Sequence, residues 1–383
     1  MQPQNITINI TGDFYLPSVE GWNFGSSLSA LLKAGDINVV NLEAPLKTPC
    51  AKPAKKSGPS LCQDTVVPEF LMKKGFGVIN CANNHIFDYG TEALANTLTA
   101  FADKAVLVGA GSFDDAYSIK IVEVKGIRIG FLALTQYEFG VHDDKSFSNG
   151  KLGAAWMCHP DVSRIIALSR NVCDKLIVMP HAGLEHFSYP LPELRTLYRH
   201  FIDMGADAVV ASHPHVPQPC ETYKGKPIFY SLGNFCFDMP VHNRPLWNKG
   251  LLAQLQINEK GVLSGYALPV SFDCAAKTVE LSTDKQYAIH LAEINNLINV
   301  ETKYLDAVNK QCLAMKPTYD MILSMGGYHQ VLSLRKAASL LKQQLSALIK
   351  RKPVAVNDAH FINTLRCETH RWVMSRIYEL TNK

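Results

Sequence analysis

Ser212-His213-Pro214-His215 follows the apolar run Ala206–Ala211 and precedes the strand-like Pro227–Leu232. Two imidazoles at i and i+2 on an extended segment point to the same side, and strand ends feeding loops are where α/β folds concentrate chemistry. Such a pair suits a metal, although imidazole is also an ordinary hydrogen-bonding group and the pair alone says little. Its weight comes from further polar clusters at the ends of apolar runs. Gly12-Asp13 follows Ile6–Ile10, Asn41-Leu42-Glu43 follows Ile37–Val40, Asn83-Asn84-His85 follows Val78–Ala82, and His181 follows Lys175–Pro180. Carboxylate, amide and imidazole groups recurring at such ends read as one site.

The elements that must position these groups are short, β-branched and bounded by Gly, Pro or Asn, the signature of strands buried on both faces. They alternate with helical stretches at Ser27–Lys33, Glu69–Lys74, Thr91–Lys104, with Thr91 as N-cap, and Pro192–Met204. Ile119–Val124 and Ile127–Ala133 form a hairpin turning at Lys125-Gly126, and Leu251–Ile257 with Val262–Phe272 form another. This is an α/β pattern, assigned to residues 1–274. Residues 275–383 change texture: Leu291, Ile294, Leu297 and Ile298, then Leu332, Leu334, Leu340, Leu341, Leu345 and Leu348, mark amphipathic helices punctuated by Gly326-Gly327 and Pro353. They are expected to form a helical extension packed on the first domain. The loop Lys47–Gln63, rich in Pro, Lys, Ser and Gly, is an insertion near the Glu43 cluster.

A length of 383 residues allows one large domain with an appendage, or two domains. The net charge of +4 and the lack of a dense Lys/Arg stripe interleaved with aromatics argue against nucleic acid; Lys52, Lys55 and Lys56 make only a local basic loop. No run approaches the roughly 18 apolar residues of a membrane helix, and no basic-then-apolar leader opens the chain, so the expected location is the cytoplasm. Ten cysteines without a Cys-x-x-Cys pair indicate neither a zinc ribbon nor a thioredoxin motif, and free thiols are expected, at Cys50 and Cys62 included.

Dinuclear hydrolases need a bridging carboxylate, further ligands on each metal and an open position for water. Asp13 and Glu43 offer carboxylates, Asn84 an amide oxygen, and His181, His213 and His215 imidazoles, enough for two divalent ions, whether Mn, Fe, Zn or Mg. At this point the chain resembles the capsule-synthesis CapA family, poly-γ-glutamate biosynthesis proteins with the calcineurin-like metallophosphoesterase fold. The resembling segments are Gly12-Asp13, Asn41–Pro45, Ala82–Gly90, His181–Glu185 and Gly205–Asp238, in the family's order. The resemblance implies a sandwich of two mixed β-sheets flanked by helices. It also implies Asp13 on one metal, Glu43 bridging both, Asn84, His181 and His213 completing one site, and His215 the other. His85 would be the catalytic acid, since an imidazolium beside a scissile phosphoester can protonate the leaving oxygen. Asp88, three residues on, either orients that imidazole or is a helix N-terminal charge.

The family resemblance departs at Asp13-Phe14-Tyr15, where true metallophosphoesterases carry Asp-x-His, so Tyr15 is either a core aromatic or part of the site, and phosphatase activity does not follow from the fold. Asn41, Asn83, Glu185 and Asn234 are expected to bind substrate. For Glu185 and Asn234 a solvated loop carboxylate and a turn-forming Asn are the competing readings. The expected function is a metal-dependent, phosphoesterase-like hydrolase serving capsule or surface-polymer synthesis, with an anionic small molecule or polymer as substrate. The alternatives are a non-catalytic, metal-containing accessory subunit of a polymer-synthesis complex, or amide-bond chemistry on poly-γ-glutamate.

Overall fold

The structure, a computed structural model, describes residues 5–146, 148, 150–239, 244–324 and 358–381. Two mixed sheets dominate the larger of two compact units, which runs to Val308. In the nine-stranded sheet, the first strand, Ile6–Tyr15, lies at the centre. Ile37–Leu42, Val78–Asn80 and Val106–Val108 continue from it in parallel on one side, and Lys249–Ile257, Leu263–Asp273 and Thr278–Leu281 run antiparallel to their neighbours on the other. In the six-stranded sheet Ile127–Thr135, Lys175–His181, Ala208–Val210 and Lys226–Phe229 are parallel, with antiparallel strands Lys120–Val124 and Cys220–Tyr223 at the edges.

The apolar alternation of the strands builds two cores. Ile6, Ile8, Ile10, Val39 and Val78 of the first sheet meet Phe131, Ile177, Met179, Val210 and Phe229 of the second in one buried cluster. Side chains of opposite alternation, Phe14, Val40, Leu42 and Ile79, pack with Leu28, Leu32, Leu71 and Leu94 from the helices Ser26–Ala34, Val67–Lys73 and Gly90–Phe101. Because both faces are covered, Ile37–Leu42 is buried at every position, as its continuous apolar run requires. The result is the α/β sandwich of two mixed sheets with flanking helices that the sequence leads one to expect.

The expected hairpin at Lys125-Gly126 forms, with both turn residues at positive φ, as a two-residue turn matching strand twist demands. The helix expected from Thr91 starts one residue earlier, with Tyr89 rather than Thr91 at the N-cap. The expected boundary at residue 274 falls inside the first unit. Thr278–Leu281 adds to the sheet beside Leu263–Asp273, and Tyr287, Leu291 and Ile294 of the helix Lys285–Ile298 bury their apolar stripe in the inter-sheet core. The second unit, Asn309–Lys383 with residues 55–59, contains the described helices Lys316–Ser324, Asp358–Arg366 and Glu368–Thr381. Within it Tyr319 Oη and His370 Nδ1 share a hydrogen bond of 2.8 Å. Leu332, Leu334, Leu340, Leu341, Leu345, Leu348, Gly326-Gly327 and Pro353 lie outside the described residues. Among the described residues no helix is long and apolar enough to cross a membrane.

Candidate metal centre

The parallel strands of both sheets end at the same place, and the sequence puts its polar clusters at those ends. Asp13 stands at an irregularity of the first strand, where the register shifts against both parallel neighbours and pairs it with Asn41 on one side and Asn234 on the other. Such a bulge re-aims a side chain out of the regular alternation. Gly12 is needed beside it: a Cβ there would meet the Gly233 carbonyl oxygen at 1.9 Å, while Asp13 N donates to that same oxygen at 3.0 Å. From the second sheet, the bridge between His181 and Ser212 brings His181 alongside the His213–His215 turn.

His213 and His215 are not on extended chain. Their φ values are +104° and +58°, left-handed conformations that cost non-glycine residues on the order of 1–3 kcal/mol each and recur at functional sites. The strand ends at Val210, and the turn that follows directs both rings to the site with their centroids 6.1 Å apart.

All six residues expected to hold metal are brought together and buried. His181 Nε2 lies 3.3 Å from Glu43 Oε1, 3.0 Å from Asn84 Oδ1 and 3.1 Å from His213 Nδ1. On the other side, His215 Nε2 lies 3.9 Å from Glu43 Oε1 and its Nδ1 3.3 Å from Asp13 Oδ2. Two donor groups result, Glu43–His181–His213 and Asp13–Glu43–His215, with Glu43 common to both.

Glu43 Oε1 is fully buried and has no hydrogen-bond partner, although it sits between two imidazoles. A buried carboxylate oxygen without a partner costs free energy. A cation shared between the groups removes that cost, and carboxylate, amide oxygen and imidazole form a ligand set that divalent ions accept. The residues present therefore fit a pair of divalent ions.

Electrostatics agree. Burial, then the charge of Asp13, raises Glu43 well above the ordinary carboxylate range. Burial opposes charge on His215, but its hydrogen bond to Asp13 and the negative fields of Glu43 and Asp13 prevail and raise it to about 9. For Asp13, burial is outweighed by the hydrogen bond from His215 and the charges of His181 and His215, and its carboxyl is held below the ordinary value. Burial drives His181 down to about 4, leaving it a neutral, ligand-competent imidazole.

Of the residues expected to bind substrate, Asn41 is instead buried within the carboxylate layer. Its amide lies 2.8 Å from Asp13 Oδ1, 2.7 Å from Glu43 Oε2 and 3.3 Å from His181 Nδ1, which fixes all three. Asn83, also buried, donates to the Leu42 carbonyl and accepts from His85 N, so it shapes the loop. Asn234 Oδ1 lies 2.9 Å from His215 Nδ1, and its amide donates to the Trp247 carbonyl. Only Glu185 is exposed. His85 Nδ1 lies 2.7 Å from Asp88 Oδ2, which also accepts from Leu61 N. Tyr15 is buried 5.1 Å from Phe237, which packs edge-on against His215, and burial pushes its phenol up to about 12.

Gln136 was not expected. Its amide nitrogen lies 3.0 Å from His213 Nε2 and its oxygen accepts from Gly183 N, so it turns His213 Nδ1 toward His181. The sequence does carry a signal for it, a polar residue directly after the apolar strand Ile127–Thr135.

The α/β sandwich of two mixed sheets thus gathers two carboxylates, three imidazoles and an amide at its strand ends, a donor set that could hold metal ions. The family is that of the bacterial capsule synthesis protein PGA_cap, whose pattern matches residues 9–239, and the chain belongs to it. It is 38% identical over 172 residues to the PGA biosynthesis protein CapA of Bacillus subtilis, covering 44% of either chain. It is 34% identical over 223 residues to the capsule biosynthesis protein CapA of Bacillus anthracis, covering 55% of this chain and 53% of that one. A probable polyglutamine synthesis accessory protein of Mycobacterium tuberculosis is 26% identical over 243 residues, 60% of this chain and 63% of its own. The chain thus spans about half the length of the first two relatives. Among solved structures, a putative 5'-nucleotidase from Staphylococcus aureus is 16% identical with a TM-score of 0.45, covering 77% of this chain and 59% of that one.

Proposed function

We propose that this member of the capsule-synthesis family is a metal-dependent hydrolase acting on a phosphoester of an anionic substrate in polymer production. The observation that carries the reading is Glu43 Oε1, buried without a hydrogen-bond partner between His181 and His215. Glu43, His181, His213 and Asn84 would hold one ion, and Asp13, Glu43 and His215 the second. When bound, the ions supply Lewis-acid polarisation of a phosphoryl oxygen.

The protein's own groups do the rest. Asn41 holds Asp13 and Glu43 in register through one amide. Asp88 ties down His85 Nδ1, so a proton exchanged with a leaving oxygen would be carried on Nε2. Asn234 fixes the His215 ring through Nδ1, leaving Nε2 turned to Glu43. The proposal places the reaction in the cytoplasm; the ten free cysteines suit a reducing compartment.

Hydrolysis of generic phosphomonoesters and phosphodiesters with added Mn²⁺ tests the activity. Turnover that falls by about 10²-fold or more in His85→Ala, the range of a lost general acid, supports the reading. Bound metal with no turnover on either ester class overturns it.

Tyr15 favours a second reading. With an aromatic where metallophosphoesterases carry a ligand histidine, the centre would organise polymer binding in an accessory subunit of a synthesis complex, without chemistry. The name of the mycobacterial relative points the same way.

A further inference from the structure

Beside His215 lies a group of hydrogen-bond donors that the metal reading does not use. The Trp247 ring is 5.2 Å from the His215 ring, and the His186 ring is 5.8 Å from Trp247 and 6.4 Å from His215. The Arg244 guanidinium sits 5.7 Å over Trp247 and is hydrogen-bonded through Nη1 to His186 Nε2. A guanidinium only donates, so His186 Nε2 is the acceptor and the ring proton belongs on Nδ1. That Nδ1 is buried and has no partner. So is Trp247 Nε1, a donor and nothing else, on a side chain 8% exposed.

Two buried N–H groups without acceptors thus adjoin one charged donor at the edge of the candidate centre. Native structures seldom leave buried donors unmet, and an unmet pair beside a site asks for a ligand that accepts. His186 is held there at φ +64°, strained for a non-glycine residue, by its backbone N–H donating to the Pro214 carbonyl at 2.8 Å, within the turn that carries His213 and His215. The nearest opposing charge among the described residues is Glu185, whose Oε2 is 3.7 Å from His186 Nε2 on a side chain 48% exposed; Asp13 and Glu43 lie on the far side, against His215.

We propose that Arg244, His186 and Trp247 form a subsite for an oxyanion of the substrate, a carboxylate or phosphate group, next to the metal-ligand cluster. This deepens the proposed function, since it rests on that cluster being where substrate binds. An acceptor placed at either orphan N–H group would satisfy it within the field of the neighbouring guanidinium, which favours an anionic acceptor. A polyanionic chain would be anchored through one of its acidic groups while its reacting bond lies toward His85 and the metals.

Calorimetric titration tests it with two probes, a γ-linked glutamate trimer and inorganic phosphate, each with and without Mn²⁺, on the parent chain, Arg244→Gln and Trp247→Phe. The second variant keeps the ring and deletes only the donor. The expected result is that Arg244→Gln weakens a probe by about tenfold or more and Trp247→Phe by about threefold or more, with Mn²⁺ content equal to the parent's. Loss confined to the trimer assigns a carboxylate, and loss confined to phosphate assigns a phosphate group. Equal affinities for both probes across all three proteins, or no binding to the parent at millimolar probe, overturn the subsite. Because the metal-free titrations stand by themselves, failure of the metal centre and failure of the subsite are separately visible.

Discussion

Asn41 donates one amide nitrogen to Asp13 Oδ1 at 2.8 Å and to Glu43 Oε2 at 2.7 Å, locking together two buried carboxylates that would otherwise repel. The bond also decides which Glu43 oxygen is left: Oε2 is occupied, and Oε1 faces His181 and His215. Replacing Asn41 with Leu keeps the volume and removes both bonds. Metal affinity should fall by about 10–100-fold, as for other partners that orient ligands, in competition titrations with a chelating dye. An unchanged affinity would mean that the carboxylates orient themselves.

Removing the charge of Glu43 should affect both ions. In Glu43→Gln, elemental analysis should find metal depleted from both sites, whereas His213→Ala should lose only the ion it shares with His181 and Asn84. Equal stoichiometry in Glu43→Gln and the parent would remove Glu43 as the bridge.

The pH dependence has a definite sign. His215 in the metal-free protein is raised from 6.5 to about 9, so its contribution to stability is complete below about pH 6.5 and disappears as pH climbs to 9. Glu43, also raised, acts in the same direction, while His181, lowered to about 4, acts only below 6.5. Thermal melting of the metal-free protein should thus drop between pH 6.5 and 9, and saturating Mn²⁺ should reverse the trend because ligation requires these groups unprotonated. Mn²⁺ added at pH 7 in weak buffer should release protons. A melting temperature that rises over this interval without metal contradicts the assignment.

Gly12→Ala should be disproportionately harmful. The new methyl would meet the Gly233 carbonyl at 1.9 Å, and relief requires moving the backbone that sets Asp13. A loss of about 1–3 kcal/mol in urea denaturation is expected from overpacking, with weaker metal binding alongside. A neutral Gly12→Ala would show that the first strand and Gly233 separate easily.

Much of this centre was legible in the sequence because each ligand ends a short apolar run, and parallel strands buried on both faces end together. Asp13, Glu43, Asn84, His181, His213 and His215 could be picked out that way. Asn41 could not be recognised as the clasp between carboxylates, because that depends on its register opposite Asp13, a property of strand pairing. Gln136 was hidden for a different reason: its strand read as half of a local hairpin, and only its parallel pairing with Lys175–His181 brings it to the site. The boundary at 274 missed the pairing of Thr278–Leu281 with Leu263–Asp273, whose four residues are too few to show alternation. The left-handed turn at His213 and His215 is likewise a tertiary imposition, since neither residue type asks for positive φ.

Anomalous diffraction from crystals grown with saturating Mn²⁺ tests the dinuclear centre most directly. The expected result is two peaks, one among Glu43, His181, His213 and Asn84 and one among Asp13, Glu43 and His215, with the Glu43 carboxylate touching both. No peak at this cluster, or peaks only at surface carboxylates, would contradict it.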